Sequence, residues 1–207
     1  SIGTLSKNTL WEESRDTRTG HATTTLVKGD DVTIVVDPGL PSQVIAAKLS
    51  ERCPVTPEQV THVFLTSFQD ETIRGLGAFP NATWVAFENE IDAAKVSLSE
   101  QLAVASQHPE DGGVEPLEIR LQILDRLRPA EDSIAPGIDI FPVAGVTPGT
   151  CGLLLAQPRK TILITGDAVA TREHLANAQV LPTCWNREIA QDSFAEAIQI
   201  ADIIIPG

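Results

Sequence analysis

Residues 61–77 constrain the fold more than any other stretch, because a buried strand there runs into a polar loop. The apolar run at 63–65, Val-Phe-Leu, is typical of a strand in the interior of a sheet. A polar segment follows it, and Gly75 and Gly77 come at the end of that segment. Many α/β folds place their chemistry in loops of this kind. The stretch therefore predicts an α/β protein with a candidate site directly after this strand.

Apolar runs and turn residues predict strands and helices along the rest of the chain. Two β-branched runs, at 23–27 and 32–36, flank a Lys-Gly-Asp-Asp turn and predict a hairpin. Further strands are predicted at 62–66, 83–87, 138–143, 152–156, 161–165 and 203–205. Helices are predicted at 41–52, 88–106, 172–178 and 186–201, with one helical turn at 56–59. Hairpins combined with βα crossovers favour sheets that carry helices on their outer faces.

Three segments have weaker patterns. Residues 1–20 are polar and predict an irregular arm or an edge strand. Residues 108–118 contain Pro-Glu-Asp-Gly-Gly and predict a mobile loop, whereas 121–127 are ambiguous between strand and helix.

Length and composition limit the class of protein. A chain of 207 residues predicts a single domain over 1–207. It has no apolar run of about 18 residues, so we predict no membrane partner. Its formal charge of −13 argues against nucleic-acid binding, which uses basic surfaces. Three cysteines without a CxxC spacing favour a reducing compartment, so a cytoplasmic location is predicted.

Short motifs at several strand ends, spread over nearly the whole chain, resemble those of the metallo-β-lactamase superfamily. Val-Val-Asp-Pro-Gly at 35–39 resembles the family's early strand-end motif, with the aspartate, Asp37, kept. The strand at 63–66 resembles the one that delivers the metal loop, and Gly75 and Gly77 resemble the glycines behind it. Residues 147–149 resemble the turn before the next metal histidine, and residues 164–167 resemble the strand end that carries the bridging aspartate. Residues 203–207 resemble the family's last strand. The resemblance implies an α/β fold, a four-layer αβ/βα sandwich of two mixed sheets.

The resemblance also locates the family's metal-ligand positions, and most of them hold other residue types here. The family loop reads His-x-His-x-Asp-His, and the corresponding residues are Ser67, Gln69, Glu71 and Thr72. Thr150 replaces the next histidine, Asp167 keeps the bridging aspartate, and the final histidine position would follow Gly207. The resemblance thus implies a degenerate site that has lost four histidines, with Ser67, Gln69, Glu71, Thr150 and Asp167 expected at one edge of the sandwich.

These side chains predict that zinc catalysis is lost. A zinc site needs about three nitrogen, sulfur or carboxylate ligands and an open position for water. Serine and threonine hydroxyls are poor zinc ligands, and Gln69 offers only a weak carbonyl oxygen. We therefore predict a pseudoenzyme with no cofactor, which acts by binding a small molecule or a protein, or by assembly, including homo-oligomerisation.

A second interpretation stays open, in which the protein is a divergent metal-dependent hydrolase. Asp70, Glu71 and Asp167 would then converge on the vacated pocket. Oxygen ligands suit hard ions, so the cofactor would be a divalent cation such as Mn, Mg or Ca. The alternative for Asp167 is that it caps the turn after its strand by accepting backbone N–H bonds.

The remaining candidate ligands are not expected to rebuild a zinc site. His174 follows Asp167 by seven residues and is predicted to be a solvated helix residue. His62 is predicted to be a packed or edge residue, and His21 and His108 carry no signal in their loops. Cys151, next to the lost histidine position, is either a soft-metal ligand or a small buried residue.

Overall fold

Two five-stranded mixed sheets form the centre of the fold. The computed structural model describes residues 1–207, except the side chain of Asp111. The strands of the first sheet, in spatial order, are β1 (Thr25–Lys28), β2 (Thr33–Val36), β3 (His62–Leu65), β4 (Thr83–Ala86) and β5 (Arg128–Pro129). β1 and β2 are antiparallel, as the predicted hairpin requires, and the other neighbours are parallel.

The second sheet is mainly antiparallel. In spatial order its strands are β10 (Ile203–Pro206), β9 (Lys160–Gly166), β8 (Cys151–Gln157), β7 (Ile138–Pro142) and β6 (Ser133–Ala135). Only the pairing of β10 with β9 is parallel. Because the chain reaches β10 through a helix, this parallel edge strand follows a crossover connection.

The sheets pack face to face because alternate side chains of each strand point to opposite faces. Ile34, Val36 and Phe64 of the first sheet pack with Leu153 and Ile164 of the second. The side chains between them on β2 and β3 point the other way, toward helices. This alternation leaves an apolar layer between the sheets and a second one outside the first sheet.

Six helices cover the outer faces. They are α1 (Ser42–Arg52), α2 (Asp70–Ile73), α3 (Glu88–Ala105), α4 (Val114–Arg126), α5 (Arg172–Asn177) and α6 (Arg187–Ile200). α1, α3 and α4 bury Ile45, Leu98 and Leu124 against the first sheet, and α6 contacts β9 of the second. The predicted four-layer sandwich, two sheets inside and helices outside, is confirmed. The single domain over 1–207 stays a prediction.

The predicted loop at 108–118 is wrong over its second half, where α4 begins at Val114. Pro116 lies in the first turn of α4, where the backbone N–H would have no helical partner, so it does not interrupt the helix. Leu117, Leu121 and Leu124 then recur at helical spacing and pack on the first-sheet core. The same packing settles the ambiguity at 121–127 in favour of helix.

Residues 1–24 form an arm of mostly irregular structure, which includes the single helical turn Thr9–Trp11. One isolated antiparallel bridge joins Thr4 to His21. Of the two predictions for 1–20, the irregular arm is therefore the correct one. Among the helices that the structure describes, none is long and apolar enough to cross a membrane.

Candidate functional site

A cavity of about 450 Å³ lies where β3, β9 and β10 end. The segment after β3 supplies one wall, and Asp167 and Gly207, which directly follow β9 and β10, supply the floor. The N-terminal arm closes the opposite side with Thr4, Leu5 and neighbouring residues. The strand-end loops thus meet at one edge of the sandwich, where the sequence places the candidate site.

The structure brings some of the predicted site residues together and separates others from them. Four of them line the cavity: Gln69, Asp70, Glu71 and Asp167. Three others are buried and do not line it: Ser67, Thr72 and Thr150. Neither the Ser67 nor the Thr150 side chain lines the cavity, and the gathering of these residues with Asp167 at one edge stays a prediction.

Thr72 has a structural partner for its hydroxyl. Its Oγ1 donates to the Ser67 carbonyl oxygen at 2.7 Å and accepts from the Gln69 N–H at 3.2 Å. These bonds close the loop into the first turn of α2. The Ser67 hydroxyl is buried and has no hydrogen-bond partner among the described residues. Neither hydroxyl is presented to the cavity as a ligand.

Thr150 belongs to a buried network that joins two distant loops. Its Oγ1 accepts from the Thr147 N–H at 2.9 Å and lies 2.6 Å from Thr147 Oγ1. Thr147 Oγ1 donates to Glu90 Oε2 at 2.5 Å, and Glu90 Oε1 accepts from the Phe68 N–H at 2.6 Å. Burial raises the pKa of the Glu90 carboxyl, and hydrogen bonding from Thr147, Phe68 and the Gly149 backbone opposes this effect. A single carboxylate thus holds together the two loops that carry the family's histidine positions.

Sequence reasoning missed Glu90 completely. It lies at the third position of α3, where acidic residues are common because they interact favourably with the helix dipole. No signal in the sequence indicates its role; only the structure shows that Gly149 approaches α3 so closely that a Cβ there would overlap the Glu90 backbone.

Two aspartates at the strand ends have raised pKa values: Asp37 is buried, and Asp167 is partly buried. Asp37 Oδ1 accepts from the Thr66 N–H at 2.8 Å, and Oδ2 accepts from Thr66 Oγ1 at 2.7 Å. Burial raises the pKa of Asp37 to about 7, and the Asp167 charge adds to the effect. Burial and then repulsion by Glu71 raise the pKa of Asp167 to about 6. At neutral pH, the Asp167 carboxylate carries its charge in an unfavourable environment.

Asp167 does not cap its turn. The helical turn Asp167–Val169 has no side-chain cap, and no hydrogen bond from a described residue reaches the Asp167 carboxylate. The capping alternative is therefore wrong. Asp70, in contrast, is exposed and lies 3.4 Å from Arg120 Nη1.

Two of the four histidines, His21 and His174, line the cavity. His174 is 1% exposed, so the prediction of a solvated helix residue is wrong. Its Nδ1 lies 2.9 Å from Oγ1 of Thr171, which is the N-cap of α5. Burial lowers the pKa of His174, so its imidazole is neutral near pH 7. The Thr-x-x-His spacing, shortly after a strand-end aspartate, was the signal in the sequence that sequence reasoning did not use.

Cys151 is the small buried residue of the two alternatives. It is fully buried in the layer between the sheets, and burial raises the pKa of its thiol to about 12. Cys151 does not line the cavity, so its thiol is not placed to hold a metal ion there.

The sequence matches the family model described as the metallo-beta-lactamase superfamily over residues 17–202. The chain therefore belongs to the metallo-β-lactamase superfamily. A comparison with curated proteins gives no match.

Solved structures with the same fold include several hydrolases. AidC, a dizinc quorum-quenching lactonase solved with the product N-hexnoyl-L-homoserine, has a TM-score of 0.66 at 17% identity, covering 85% of this chain and 67% of that one. The hydrolase AbOPH has a TM-score of 0.63 at 22% identity, covering 83% and 65%. A Thermotoga maritima protein described as a metallo-β-lactamase has a TM-score of 0.64 at 18% identity, covering 90% and 86%. At these identities, the likeness shows the fold alone.

The residues at this cavity do not fit the two-zinc centre named for AidC. Among the described side chains, no three His, Cys, Asp or Glu residues are grouped so that they could hold a metal ion. At the ligand positions that the sequence resemblance implies, Thr72 and Thr150 offer hydroxyls, which are already hydrogen-bonded inside the protein. Zinc sites depend strictly on ligand type, so this set of donors does not match the family's chemistry.

Proposed function

We propose that this protein is a non-hydrolytic member of the metallo-β-lactamase superfamily that binds a small molecule in the cavity at the strand ends. The observation that carries the proposal is Thr150, which replaces a metal histidine and is fully buried in hydrogen bonds with Thr147. A side chain in that position does not contribute to a metal-bound water, which is the nucleophile of zinc hydrolases.

The cavity itself supports binding rather than a purely structural role. Its volume of about 450 Å³ lies within the range of small-molecule sites, which is roughly 300–1,000 Å³. Polar groups converge there, because Gln69, Glu71, Asp167 and His174 all line it. Loss of the metal ligands therefore coincides with a pocket that is still open and still polar.

Metal analysis combined with an activity assay tests the proposal. The protein is produced in zinc-supplemented medium, purified without chelator and analysed for metals by mass spectrometry. It is then assayed on an N-acyl homoserine lactone and on a β-lactam, with an active dizinc lactonase as the positive control. We expect no stoichiometric zinc and no hydrolysis above the buffer rate. One or two zinc ions per chain together with hydrolysis would overturn the proposal.

A metal-dependent hydrolase with a carboxylate-rich site is the second candidate, because Asp70, Glu71 and Asp167 all line the same cavity. On this reading, millimolar manganese or calcium raises the melting temperature, and Asp167→Asn abolishes that increase. The pairing of Asp70 with Arg120 counts against it, since that carboxylate already has a cation beside it.

A further inference from the structure

The charges around the cavity are not balanced. Glu71 and Asp167 face it, and no lysine, arginine or histidine of the described chain lies within ion-pair distance of either carboxylate. Arg120 also lines the cavity; its Nη1 lies 3.4 Å from Asp70 Oδ1, and its buried Nε has no hydrogen-bond partner among the described residues. Lys7, on the cavity wall, is exposed and makes no ion pair. Two carboxylates that line one cavity without a counter-ion favour the uptake of a cation or a proton.

His174 provides an independent indication of a ligand. Its ring is almost fully buried and lines the cavity, with Nδ1 next to the Thr171 hydroxyl. Nε2 has no hydrogen-bond partner among the described residues. An unpartnered ring nitrogen of a residue that lines the cavity is available for a hydrogen bond to a ligand group. When Nδ1–H donates to Thr171, Nε2 is a hydrogen-bond acceptor.

In the tautomer with the proton on Nδ1, His174 Nε2 joins Glu71 and Asp167 as a free acceptor, and Arg120 Nε is a free donor on the same cavity. Part of the wall is apolar. Val146, Leu181 and Pro182 line the cavity beside the polar groups. An ammonium group supplies three N–H donors and no acceptor, which matches two carboxylates and one imidazole nitrogen. A bare metal ion matches less well, because the described side chains do not form a group of three metal ligands.

We infer that the cavity binds a small aliphatic amine in its ammonium form, with Asp167 as its counter-ion, Glu71 as a second carboxylate and His174 Nε2 as an acceptor. The apolar wall then contacts the hydrocarbon part of the amine. This inference rests on the proposed function, because a catalytic metal would occupy the same Asp167 carboxylate.

Calorimetric titration with matched probes tests the charge and the shape of the ligand. Pentylamine, cadaverine and benzylamine are the cationic probes, pentanol is the neutral probe and pentanoate the anionic one. We expect saturable binding of at least one amine, at least tenfold weaker binding of pentanol, and no binding of pentanoate. Failure of all three amines to bind at tens of millimolar, equal binding of pentanol, or preference for pentanoate would each overturn the inference.

Two variants with the same change in net charge locate the counter-ion. Asp167→Asn is expected to weaken amine binding at least tenfold, because a charge-assisted hydrogen bond is lost. Asp192→Asn, on an exposed position of α6, is expected to leave binding unchanged. Circular dichroism and melting curves establish that both variants are folded. Equally weakened amine binding in both variants would show that the overall charge of the protein causes the effect, and it would overturn the inference.

Divalent ions separate this inference from the proposed function. If manganese or calcium binds through Asp167 and excludes the amines, the ligand is a metal ion and the inference fails. If the amines do not bind and the protein also lacks zinc and hydrolysis, the inference fails while the proposed function stands. If stoichiometric zinc and hydrolysis are found, the proposed function fails, and the inference that rests on it fails as well.

Discussion

Replacing Glu90 is expected to destabilise the protein, because its carboxylate joins two loops that are far apart in the sequence. Oε1 accepts from the Phe68 N–H at 2.6 Å, and Oε2 accepts from Thr147 Oγ1 at 2.5 Å. The residue is 3% exposed, so bulk water has little access to either donor. In Glu90→Ala, the buried Phe68 N–H loses its acceptor, and the Thr147 hydroxyl keeps only its contact with Thr150 Oγ1 at 2.6 Å.

The size of the effect follows from the balance of two contributions. The Phe68 N–H left without an acceptor costs about 1–3 kcal/mol, and the lost Thr147 hydrogen bond adds about 1 kcal/mol, which gives ~2–4 kcal/mol in total. Burial raises the pKa of Glu90, which means that the folded protein also holds its charge at a cost that the variant no longer has. We therefore expect Glu90→Ala to lower the free energy of unfolding by about 3 kcal/mol. Glu90→Gln keeps the shape and one acceptor, and is expected to cost ~1–2 kcal/mol.

Urea denaturation followed by far-UV circular dichroism measures these differences. Glu88→Ala is the matched control, since Glu88 lies in the same first turn of α3 but is exposed. Its favourable interaction with the helix dipole predicts a loss of only ~0.5 kcal/mol. If Glu90→Ala and Glu88→Ala had the same effect, the reasoning that the Glu90 network holds the loops together would be wrong.

Four further predictions concern metal, pH, thiol chemistry and backbone conformation. EDTA should leave the melting temperature unchanged, because the apolar layers fold without a metal; a large decrease in a thermal melt would contradict this. The pKa of Asp37 is about 7 in the folded protein against an ordinary 3.8, so the folded state binds the proton more tightly. The contribution of Asp37 to the free energy of unfolding is therefore fully present below about pH 4 and is lost as pH rises through 7. Relative to Asp37→Asn, wild-type stability should therefore fall by up to about 4 kcal/mol over that window, measured by urea denaturation, and parallel profiles would refute the assignment. Cys151, fully buried, should react with a disulfide reagent only after unfolding, so that at most two of the three free cysteines titrate in the native protein. Gly166 has φ 52°, and a Cβ there would overlap the Thr66 side chain, so Gly166→Ala should cost ~1–3 kcal/mol in denaturation, whereas Gly113→Ala should cost far less.

The sequence predicts those parts of the fold that depend on local patterns. The hairpin of β1 and β2 follows from two β-branched runs and the turn between them, and the register places Val27 opposite Ile34. The strand at His62–Leu65 follows from its apolar run. α4 was harder to predict, because the Gly-Gly and proline before and inside its first turn resemble a loop until its leucines meet the core.

The candidate site was predictable in outline, because strand ends fix where its loops emerge. The side chains that matter most depend on contacts that are distant in the sequence. Glu90 meets Thr147 across 57 residues, and no local pattern indicates that pairing. His174 was underestimated for a similar reason, since a position on a short helix does not reveal which side of that helix the cavity occupies.

The hydroxyl of Thr23 joins two segments that are remote along the chain. It accepts from the Gly3 N–H at 2.8 Å and donates to the Gly207 carbonyl oxygen, 184 residues away, also at 2.8 Å. Closing a loop of this length costs conformational entropy, which the contacts of the arm must offset. The arm and Gly207 both line the cavity, so the cavity is complete only after Thr23 has formed its hydrogen bonds to Gly3 and Gly207. We expect the Thr23 contacts with Gly3 and Gly207 to open before the sheets do. The amides of the arm, Gly3 among them, should then exchange hydrogen faster than those of β3. A ligand that enters by this route would bind at a rate limited by local opening.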